Sequence, residues 1–552
     1  MNKYRINNLQ TLVLAMALAV SLLGVSGAQA QTYTDIHDFN TTDLASPQYS
    51  GVLAQGRDGN LYGTAPVGGT FGRGGVFTIT PDGVYSVIAN FDSTRANPYS
   101  GLTMGTDGNF YGGTYNGGDF GFGTVFKITA GGFLTVLHSF ALVEGAGPYA
   151  PPIEGTDGNF YGTTTIGGAG FGAVYKVTPA GAFTTLYAFD KTHGASPFAP
   201  LIQAKDGNFY GTTVGGGTAD FGTVFKITPA GALTVLYNFD STHGSGPYAP
   251  LLQASDGNFY GTARTGGSKN NGGVVFKLTA AKKPKLTVLY NFDATGATKD
   301  GVRPYASLIE VNIVTGGSAF YGVASAGGTN GAGTLYQITS AGSYLTMYSF
   351  ASATGSLPFT TLRQLFNGKL YGEATSGGAG GHGALFSYAE DRFDRGFISL
   401  VPTSGAVSQP VGIIGKFLSG VVSVKFNGTN AAFTVVSDTY ISTSVPSGAT
   451  TGFVKTKDAG NNQRSSPQKF RVTPVVLSFN PTSGPVGTQV VITGNSLTGA
   501  TSVTFGGVKA TVKTVDSYTQ ITATVPAKAK TGKIQVTTPG GTAESPTDFT
   551  VN

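Results

Sequence analysis

A repeat of about 50 residues runs through the first 390 positions of this chain and leaves few folds open to it. The repeat is clearest at residues 206–212 (Asp-Gly-Asn-Phe-Tyr-Gly-Thr), which return almost unchanged at 256–262. Its tyrosine recurs at Tyr62, Tyr111, Tyr161, Tyr210, Tyr260, Tyr321 and Tyr371. Self-similarity at such a period is typical of architectures in which each repeat packs against its neighbours. The chain therefore contains seven copies of one unit.

Each unit contains four short segments rich in β-branched and aromatic residues, as β-strands are. Asp-Gly-Asn separates the first two segments and Thr-Pro-Ala-Gly, or a similar string, the last two; both favour tight hairpins. In residues 233–239 apolar side chains fall on both faces of the strand, as in a sheet packed between two others. Four strands in each unit of about 40–50 residues are typical of a propeller blade. Residues 31–392 are therefore predicted to form a seven-bladed β-propeller.

The two ends of the repeat region are out of phase. A segment ending in phenylalanine closes six units, but the last unit ends near Tyr388 without one. The missing copy stands at residues 33–39 (Tyr-Thr-Asp-Ile-His-Asp-Phe), which have the same pattern. We expect this segment to complete the seventh blade. Such an exchange favours a closed ring over an open solenoid, since open arrays end in polar caps.

The first 30 residues have the three regions of a secretory signal peptide. Lys3 and Arg5 precede an apolar run over residues 12–25, and the small-residue triplet 28–30 (Ala-Gln-Ala) follows. We expect cleavage after Ala30 and a secreted or surface-displayed protein. The apolar run is shorter than the roughly 20 residues that cross a bilayer, and no second run follows. No membrane span is therefore expected in the mature chain.

Composition narrows the choice of partners. The chain has no cysteine, which excludes disulfides and thiolate metal sites. Its formal charge of +6 is uneven: residues 31–396 carry 20 basic and 23 acidic side chains, whereas residues 397–552 carry 12 and 5. Because the lysines of this exported chain are scattered, nucleic acid is not an expected partner. A polysaccharide, an anionic envelope component or another surface protein fits better.

Residues 206–228 run from Asp-Gly-Asn-Phe-Tyr-Gly-Thr, through glycine pairs, to Gly-Thr-Val-Phe-Lys-Ile-Thr. This string resembles the hallmark of the GloVer tandem-repeat family of secreted bacterial proteins, and the resemblance covers about residues 31–390. Units six and seven depart from it, with Gly-Ser-Ala at 317–319 and Asn-Gly-Lys at 367–369. The resemblance implies a repeat scaffold joined to varied surface or secretion modules. It implies no reaction.

The composition shifts to threonine, valine and lysine from Val475 onward. Residues 480–487 (Asn-Pro-Thr-Ser-Gly-Pro-Val-Gly), 490–494 (Val-Val-Ile-Thr-Gly) and 503–507 (Val-Thr-Phe-Gly-Gly) resemble an IPT/TIG domain, which implies an immunoglobulin-like sandwich over 474–552. Residues 393–473 repeat the plan more weakly, with Ser-Gln-Pro at 408–410 in place of the expected glycine and threonine. The expected fold class is therefore all-β, a seven-bladed propeller followed by two immunoglobulin-like sandwiches that act as spacers or adhesive units.

The sequence offers little from which to build a catalytic or metal site. None of the five histidines has a metal-ligand spacing, and no phosphate-loop, dinucleotide or nucleophile-elbow motif occurs, so no cofactor and no metal are expected. The aspartates of the Asp-Gly-Asn turns could act as paired carboxylates, but bonds within their own turns explain them better. Acids outside the repeat pattern are few: Glu144, Glu154, Asp220, Glu310 and Glu373. We therefore expect no enzymatic activity.

Two groups of residues are candidates for ligand binding. One is the aromatic residue that follows a proline at the start of the innermost strand, at Tyr99, Tyr149, Phe198, Tyr248, Tyr305 and Phe359. These rings could stack on sugars near the mouth of the channel, or they could serve only blade-to-blade packing. The other group lies in variable loops on the face opposite the repeated turns, at Arg264, Lys269, Lys299 and Arg303. Loops on a rigid scaffold often carry binding residues, although loop length also drifts without consequence.

These features predict a secreted or surface protein that binds a partner, such as a polysaccharide or an envelope component, through the variable-loop face. The alternatives are an extracellular enzyme acting on polysaccharide and a structural matrix protein without a ligand.

Overall fold

The computed structural model describes residues 31–40, 42, 44–47, 53–313, 318–391, 393, 398–515 and 517–552. Within these ranges the regular secondary structure consists of β-strands and one short 3-10 helix, Ser352–Thr354. None of the described residues forms a helix with the length and apolar character needed to cross a membrane. The expected signal peptide, residues 1–30, lies outside the described residues. The expected all-β class is confirmed.

The described residues of the repeat region form seven antiparallel sheets of four or five strands, numbered here as blades 1 to 7 in chain order. The inner strands are Ala54–Gln55, Thr103–Met104, Ile153–Glu154, Ile202–Gln203, Leu252–Gln253, Ile309–Asn312 and Arg363–Gln364. The second strands are Leu61–Ala65, Phe110–Thr114, Phe160–Thr164, Phe209–Thr213, Phe259–Ala263, Ser318–Ala324 and Leu370–Ser376. The third strands are Gly75–Ile79, Thr124–Ile128, Ala173–Val177, Thr223–Ile227, Val274–Leu278, Thr334–Ile338 and Ala384–Glu390. The outer strands are Tyr85–Asn90, Leu134–Ser139, Phe183–Ala188, Leu233–Asn238, Leu286–Asn291, Tyr344–Ser349 and, in blade 7, Gln31–Asp38.

The ring closes as the phase of the repeat predicts. Gln31–Asp38 pairs antiparallel with Ala384–Glu390, from Gln31 opposite Glu390 to Asp38 opposite Ala384. A buried hydrophobic cluster fills each junction between successive blades, and one of these clusters joins Phe39 and Leu385 of blade 7 to Phe77 of blade 1. The N-terminal segment is therefore the outer strand of the last blade, and that prediction is confirmed.

Steric crowding explains why glycine follows tyrosine in the second strand of each blade. Gly211 lies opposite Phe225 in the neighbouring strand, and a Cβ on Gly211 would stand 2.6 Å from the Cζ atom of Phe225. The aromatic ring thus lies over the glycine backbone, where no other residue would leave room for it. Phe225 is fully buried in this position.

The blades present two different faces. The "turn face" carries the turns that follow the inner and third strands. The "loop face" carries the connections that follow the second and outer strands, and these two sets of loops pair with each other in short ladders. The ladders join Leu44–Ala45 to Val67–Gly68, Arg95–Ala96 to Asn116–Gly117, and Gly301–Val302 to Ala326–Gly327. In blade 7, Ser356–Pro358 pairs instead with the second strand itself, Leu370–Ser376.

Two sandwiches with the same strand order follow the propeller. In the first, one sheet contains Ser399–Val401, Pro410–Ile414, Tyr440–Ser444 and Phe433–Ser437, and the other Thr429–Asn430, Val421–Phe426, Val454–Asp458 and Gln463–Ser465. In the second, one sheet contains Val475–Asn480, Gln489–Asn495, Gln520–Thr524 and Thr511–Val515, and the other Ser483–Gly484, Gly541–Val551, Gly532–Thr538, Ser502–Phe505 and Val508–Lys509. Each sandwich also contains a parallel pair, Ser404–Gly405 with Arg471–Val472 and Ser483–Gly484 with Gly541–Val551. Each has its own buried core.

Candidate functional site

The six post-proline aromatic residues lie side by side and form a continuous arc, called here the aromatic arc. Successive ring centroids from Tyr99 to Tyr149, Phe198, Tyr248, Tyr305 and Phe359 are 4.9, 4.9, 5.1, 5.1 and 4.6 Å apart. These separations are those of interacting aromatic pairs. Because each ring comes from a different blade, the arc follows the loop face around six blades. The corresponding position of blade 1 falls in residues 48–52, outside the described residues.

Part of the aromatic arc is buried between the blades, and part of it is exposed to solvent. Tyr305 and Phe359 are buried, with 9% and 8% of their surface exposed. Tyr99, Tyr149, Phe198 and Tyr248 keep intermediate exposure. The packing role considered from sequence therefore describes one end of the arc well. The four partly exposed rings form the part that a ligand could touch.

Two further side chains extend the arc. Tyr115, one residue past the second strand of blade 2, contacts Tyr99 and Tyr149 edge-on at 5.8 and 5.7 Å. Arg264 has the same position in blade 5, and its guanidinium carbon lies 5.7 Å from the Tyr248 ring and 4.9 Å from the Tyr305 ring. Both distances are in the range of cation–π contacts. Arg264 was among the predicted residues, whereas Tyr115 was missed.

The Arg264 side chain has little else to bind. Its Nε atom is buried without a hydrogen-bond partner, and among the described residues no carboxylate forms an ion pair with it. A guanidinium has five N–H donors in a planar fork. Arg264 therefore lies at the edge of the aromatic arc with a guanidinium that the described residues leave incompletely hydrogen-bonded.

The other three predicted cations lie around the same loops. Arg303 directly precedes Pro304 and Tyr305, is exposed, and has a left-handed backbone with φ of 58°. Lys269 is exposed, with its Nζ 5.7 Å from the ring of Tyr290 on the outer strand of blade 5. Lys299 is exposed in the connection between blades 5 and 6. Of the four cations, Arg264 contacts the arc through its side chain, and Arg303 adjoins it along the chain.

The repeated aspartates serve their own turns. Asp58 accepts hydrogen bonds from the Asn60 N–H at 3.1 Å and from the Tyr62 hydroxyl at 2.8 Å. The same arrangement is present at Asp107, Asp157, Asp206 and Asp256. At Asp256 burial acts against ionisation, but hydrogen bonds from Asn258, Lys277 and Tyr260 outweigh it and lower the pKa to about 2. The structural interpretation of these aspartates is therefore confirmed.

Most of the acids outside the repeat pattern are engaged by their own local partners. Glu154 and Glu310, near the axis, accept the N–H and hydroxyl of Thr106 and of Ser255 in the preceding blades, at 2.6–2.8 Å. Glu144 bonds to His138, and Asp220 pairs with Lys191. Glu373 is buried, with its Oε1 atom unpaired, and burial raises its pKa to about 8. Within the described residues no group of three or more histidine, cysteine, aspartate or glutamate side chains is arranged to hold a metal ion.

The first sandwich covers part of the turn face, a contact that the sequence did not predict. Arg57, in the first turn of blade 1, lies over the Tyr440 ring at 4.7 Å, and its carbonyl accepts a hydrogen bond from Thr439 Oγ1 at 2.9 Å. Asn312 at the end of an inner strand donates to the Pro467 carbonyl at 2.7 Å. The loop face, with its aromatic arc, is the opposite one.

Comparison with known proteins identifies the repeat. The model of the Gloeobacter/Verrucomicrobia repeat matches residues 25–153, 130–317 and 201–420, and that of the IPT/TIG domain matches residues 474–551. No curated protein sequence matches the chain.

Several solved structures show partial similarity. The surface glycan-binding protein PbSGBP-B from Prevotella bryantii is 20% identical with a TM-score of 0.21; the match covers 27% of this chain and only 38% of that protein. A fungal alcohol oxidase of the AA5 family, solved with copper, is 13% identical with a TM-score of 0.46 over 81% of this chain and 100% of the oxidase. PorZ, a surface component of the type-IX secretion system of Porphyromonas gingivalis, is 14% identical with a TM-score of 0.40, over 78% of this chain and 59% of PorZ.

The family match extends over well more than half of the chain and coincides with the ring of seven sheets, while the domain match coincides with the second sandwich. The chain belongs to the Gloeobacter/Verrucomicrobia repeat family and carries an IPT/TIG domain at residues 474–551.

Proposed function

We propose that this chain is an exported surface protein that binds polysaccharide, without catalysis, through the aromatic arc on the loop face of its propeller. The observation that carries the proposal is the arc itself, in which rings from six blades touch in sequence and Tyr115 and Arg264 lie against them.

The chemistry of the arc suits a sugar chain. Sugar rings have apolar C–H faces that can pack on aromatic rings, and hydroxyl groups that need hydrogen-bond partners. Tyr99, Tyr149, Phe198 and Tyr248 supply partly exposed rings, and Arg264 supplies a guanidinium whose Nε has no hydrogen-bond partner among the described residues. A mostly apolar surface with a few polar groups that fix orientation is typical of ligand sites.

The difference between the two faces of the propeller supports placing the ligand site on the loop face. Around Arg57 and Asn312 the turn face is occupied by the first sandwich, whereas the loop face carries connections of different lengths on a rigid ring. Binding residues concentrate on loops of this kind. The absence of catalysis is part of the proposal. It is supported by the local engagement of Glu144, Glu154, Asp220 and Glu310.

A glycan array probed with residues 31–552 tests the proposal, followed by calorimetric titration of any glycan that binds. We expect Tyr115→Ala and Arg264→Gln each to weaken binding by at least about tenfold, because each removes a contact at the arc. The matched control is Phe133→Ala, since Phe133 is 74% exposed in a turn of blade 2 on the opposite face.

Two results would contradict the proposal. One is a chain that binds no glycan at all, and the other is a bound glycan whose affinity is unchanged by both arc variants. Chromatography of the bound glycan after prolonged incubation tests the non-catalytic part, because new shorter products would reveal hydrolysis.

A further inference from the structure

A pocket of about 250 Å³ lies where the first sandwich meets blades 6 and 7 on the turn face, away from the aromatic arc. Polar and charged side chains from both domains line it, among them Glu310, Arg363, Gln364, Thr403, Ser466 and Lys469. Ile309, Leu400 and Pro467 add apolar walls. The pocket therefore exists only because the two domains are in contact.

Arg363 is out of place in the repeat. It is the first residue of the inner strand of blade 7, and the other six blades have uncharged residues there. These are Ala54, Thr103, Ile153, Ile202, Leu252 and Ile309. An inner strand therefore forms without a charge at this position, and the fold gives no reason for the arginine.

Among the described residues, the guanidinium of Arg363 has no counter-ion. Within the described part of the chain, no hydrogen bond or ion pair to its side chain is present, although the residue is largely enclosed and burial lowers its pKa. A desolvated charge without a partner is unfavourable. The surface that Arg363 retains faces the pocket.

The one acid of the pocket is already engaged. Glu310 accepts hydrogen bonds from the Ser255 N–H, the Ser255 hydroxyl and the Ser318 hydroxyl at 2.6–2.8 Å. Two basic residues, Arg363 and Lys469, line the pocket against this one acid. Burial together with the charge of Arg471 lowers the pKa of nearby Lys205 against the opposing charges of Asp256 and Glu310.

We propose that this interdomain pocket binds one oxyanion group, the carboxylate of an acidic sugar or a phosphate, with Arg363 as its principal ligand and Lys469 as a second. A guanidinium matches the geometry of both anions through two parallel N–H···O bonds. The pocket is smaller than the roughly 300–1,000 Å³ of sites for larger ligands. It therefore suits one small anion or one sugar unit.

Calorimetric titration of residues 31–552 with sodium phosphate, sodium glucuronate and neutral glucose, at low ionic strength, tests this inference. We expect one equivalent of at least one anion to bind and glucose not to bind. Binding of phosphate alone assigns the site to phosphate, and binding of glucuronate assigns it to acidic sugars. Failure of both anions to bind overturns the proposal.

The variants locate the site. We expect Arg363→Gln to weaken anion binding by at least about tenfold and Lys469→Gln by a smaller factor, whereas Arg73→Gln, at an exposed arginine of a blade 1 loop, leaves it unchanged. In thermal unfolding the bound anion should raise the Tm of the unmodified protein and of Arg73→Gln but not that of Arg363→Gln. Undiminished binding by both pocket variants overturns the proposal, and because the pocket is on the turn face, that result would leave the loop-face proposal standing.

Discussion

Tyr115 and Arg264 are equivalent residues of blades 2 and 5, and each lies against two consecutive rings of the aromatic arc. Equivalent hydrogen bonds hold the backbone of both residues, because each donates its N–H to the carbonyl of the residue that precedes a loop-face proline. The acceptors are Asn97 and Gly246, both at 3.1 Å. The position after the second strand thus presents a phenol in blade 2 and a guanidinium in blade 5.

The first prediction separates charge from stacking at Arg264. Arg264→Lys keeps the positive charge but loses the planar group that stacks on Tyr248 and Tyr305. We expect it to weaken glycan binding nearly as much as Arg264→Gln, because lysine does not replace a stacked guanidinium. Calorimetry with the glycan found on the array measures the difference. Full retention of affinity by Arg264→Lys would mean that charge alone acts there.

The second prediction concerns ring closure. The Tyr33 ring stacks on Tyr348 with centroids 4.1 Å apart, and its hydroxyl donates to the Thr354 carbonyl at 2.5 Å. We expect Tyr33→Ala to lower the free energy of unfolding of the propeller by about 2–3 kcal/mol, since it removes a packed aromatic side chain. Chemical denaturation followed by circular dichroism measures this. Thr34→Ala, at the exposed neighbour, is the control, and equal midpoints for the two variants would refute the role of this strand.

The third prediction concerns the pH dependence of stability. Burial raises the pKa of Glu373 from 4.5 to about 8, so the folded chain holds a proton that the unfolded chain releases. Stability from this group is complete below about pH 4.5 and is lost as the pH rises towards 8. Glu373→Gln should therefore match the unmodified protein near pH 4.5 and exceed its free energy of unfolding by on the order of 5 kcal/mol above about pH 9. A constant difference across this range would show that the carboxyl does not titrate as expected.

The fourth prediction concerns the contact between the propeller and the first sandwich. Because the chain has no cysteine, Thr184→Cys and Thr434→Cys, at exposed positions of the two domains, allow specific spin labelling. We expect one narrow distance distribution by double electron–electron resonance, broadened when Arg57→Ala removes the cation over Tyr440. A broad distribution in the protein without Arg57→Ala would contradict a fixed contact.

Much of the fold follows from repetition. The spacing of the tyrosines predicts the sheets, and the missing phenylalanine segment predicts that residues 33–39 complete the last blade, where the observed strand is Gln31–Asp38. Both conclusions rest on local patterns that occur many times, so a single irregular unit does not hide them. The same repetition placed the post-proline rings on one face.

The features that sequence reasoning missed occur once. Tyr115 has no aromatic counterpart in the other blades, and its contact with Tyr99 depends on how neighbouring blades approach each other. The contact between Arg57 and Tyr440 joins residues nearly 400 positions apart in different domains. A departure from the repeat was the available signal in each case: Arg57 stands where units two to five have threonine, lysine or serine, and Arg363 stands among uncharged equivalents.

The pairing of Gln31–Asp38 with Ala384–Glu390 also means that the seventh blade is built from strands at opposite ends of the repeat region. Synthesis produces the first of these strands about 350 residues before its partner, so blades 1 to 6 can form while blade 7 is still incomplete. Pairing across so long a separation is slow, and an unpaired strand can meanwhile join a foreign sheet. Asp35 and Asp38 place two carboxylates on that waiting strand, and such charges discourage foreign pairing. The seventh blade can therefore be completed only once residues 384–390 are present, and a chain interrupted before residue 384 lacks the strand with which its first strand pairs.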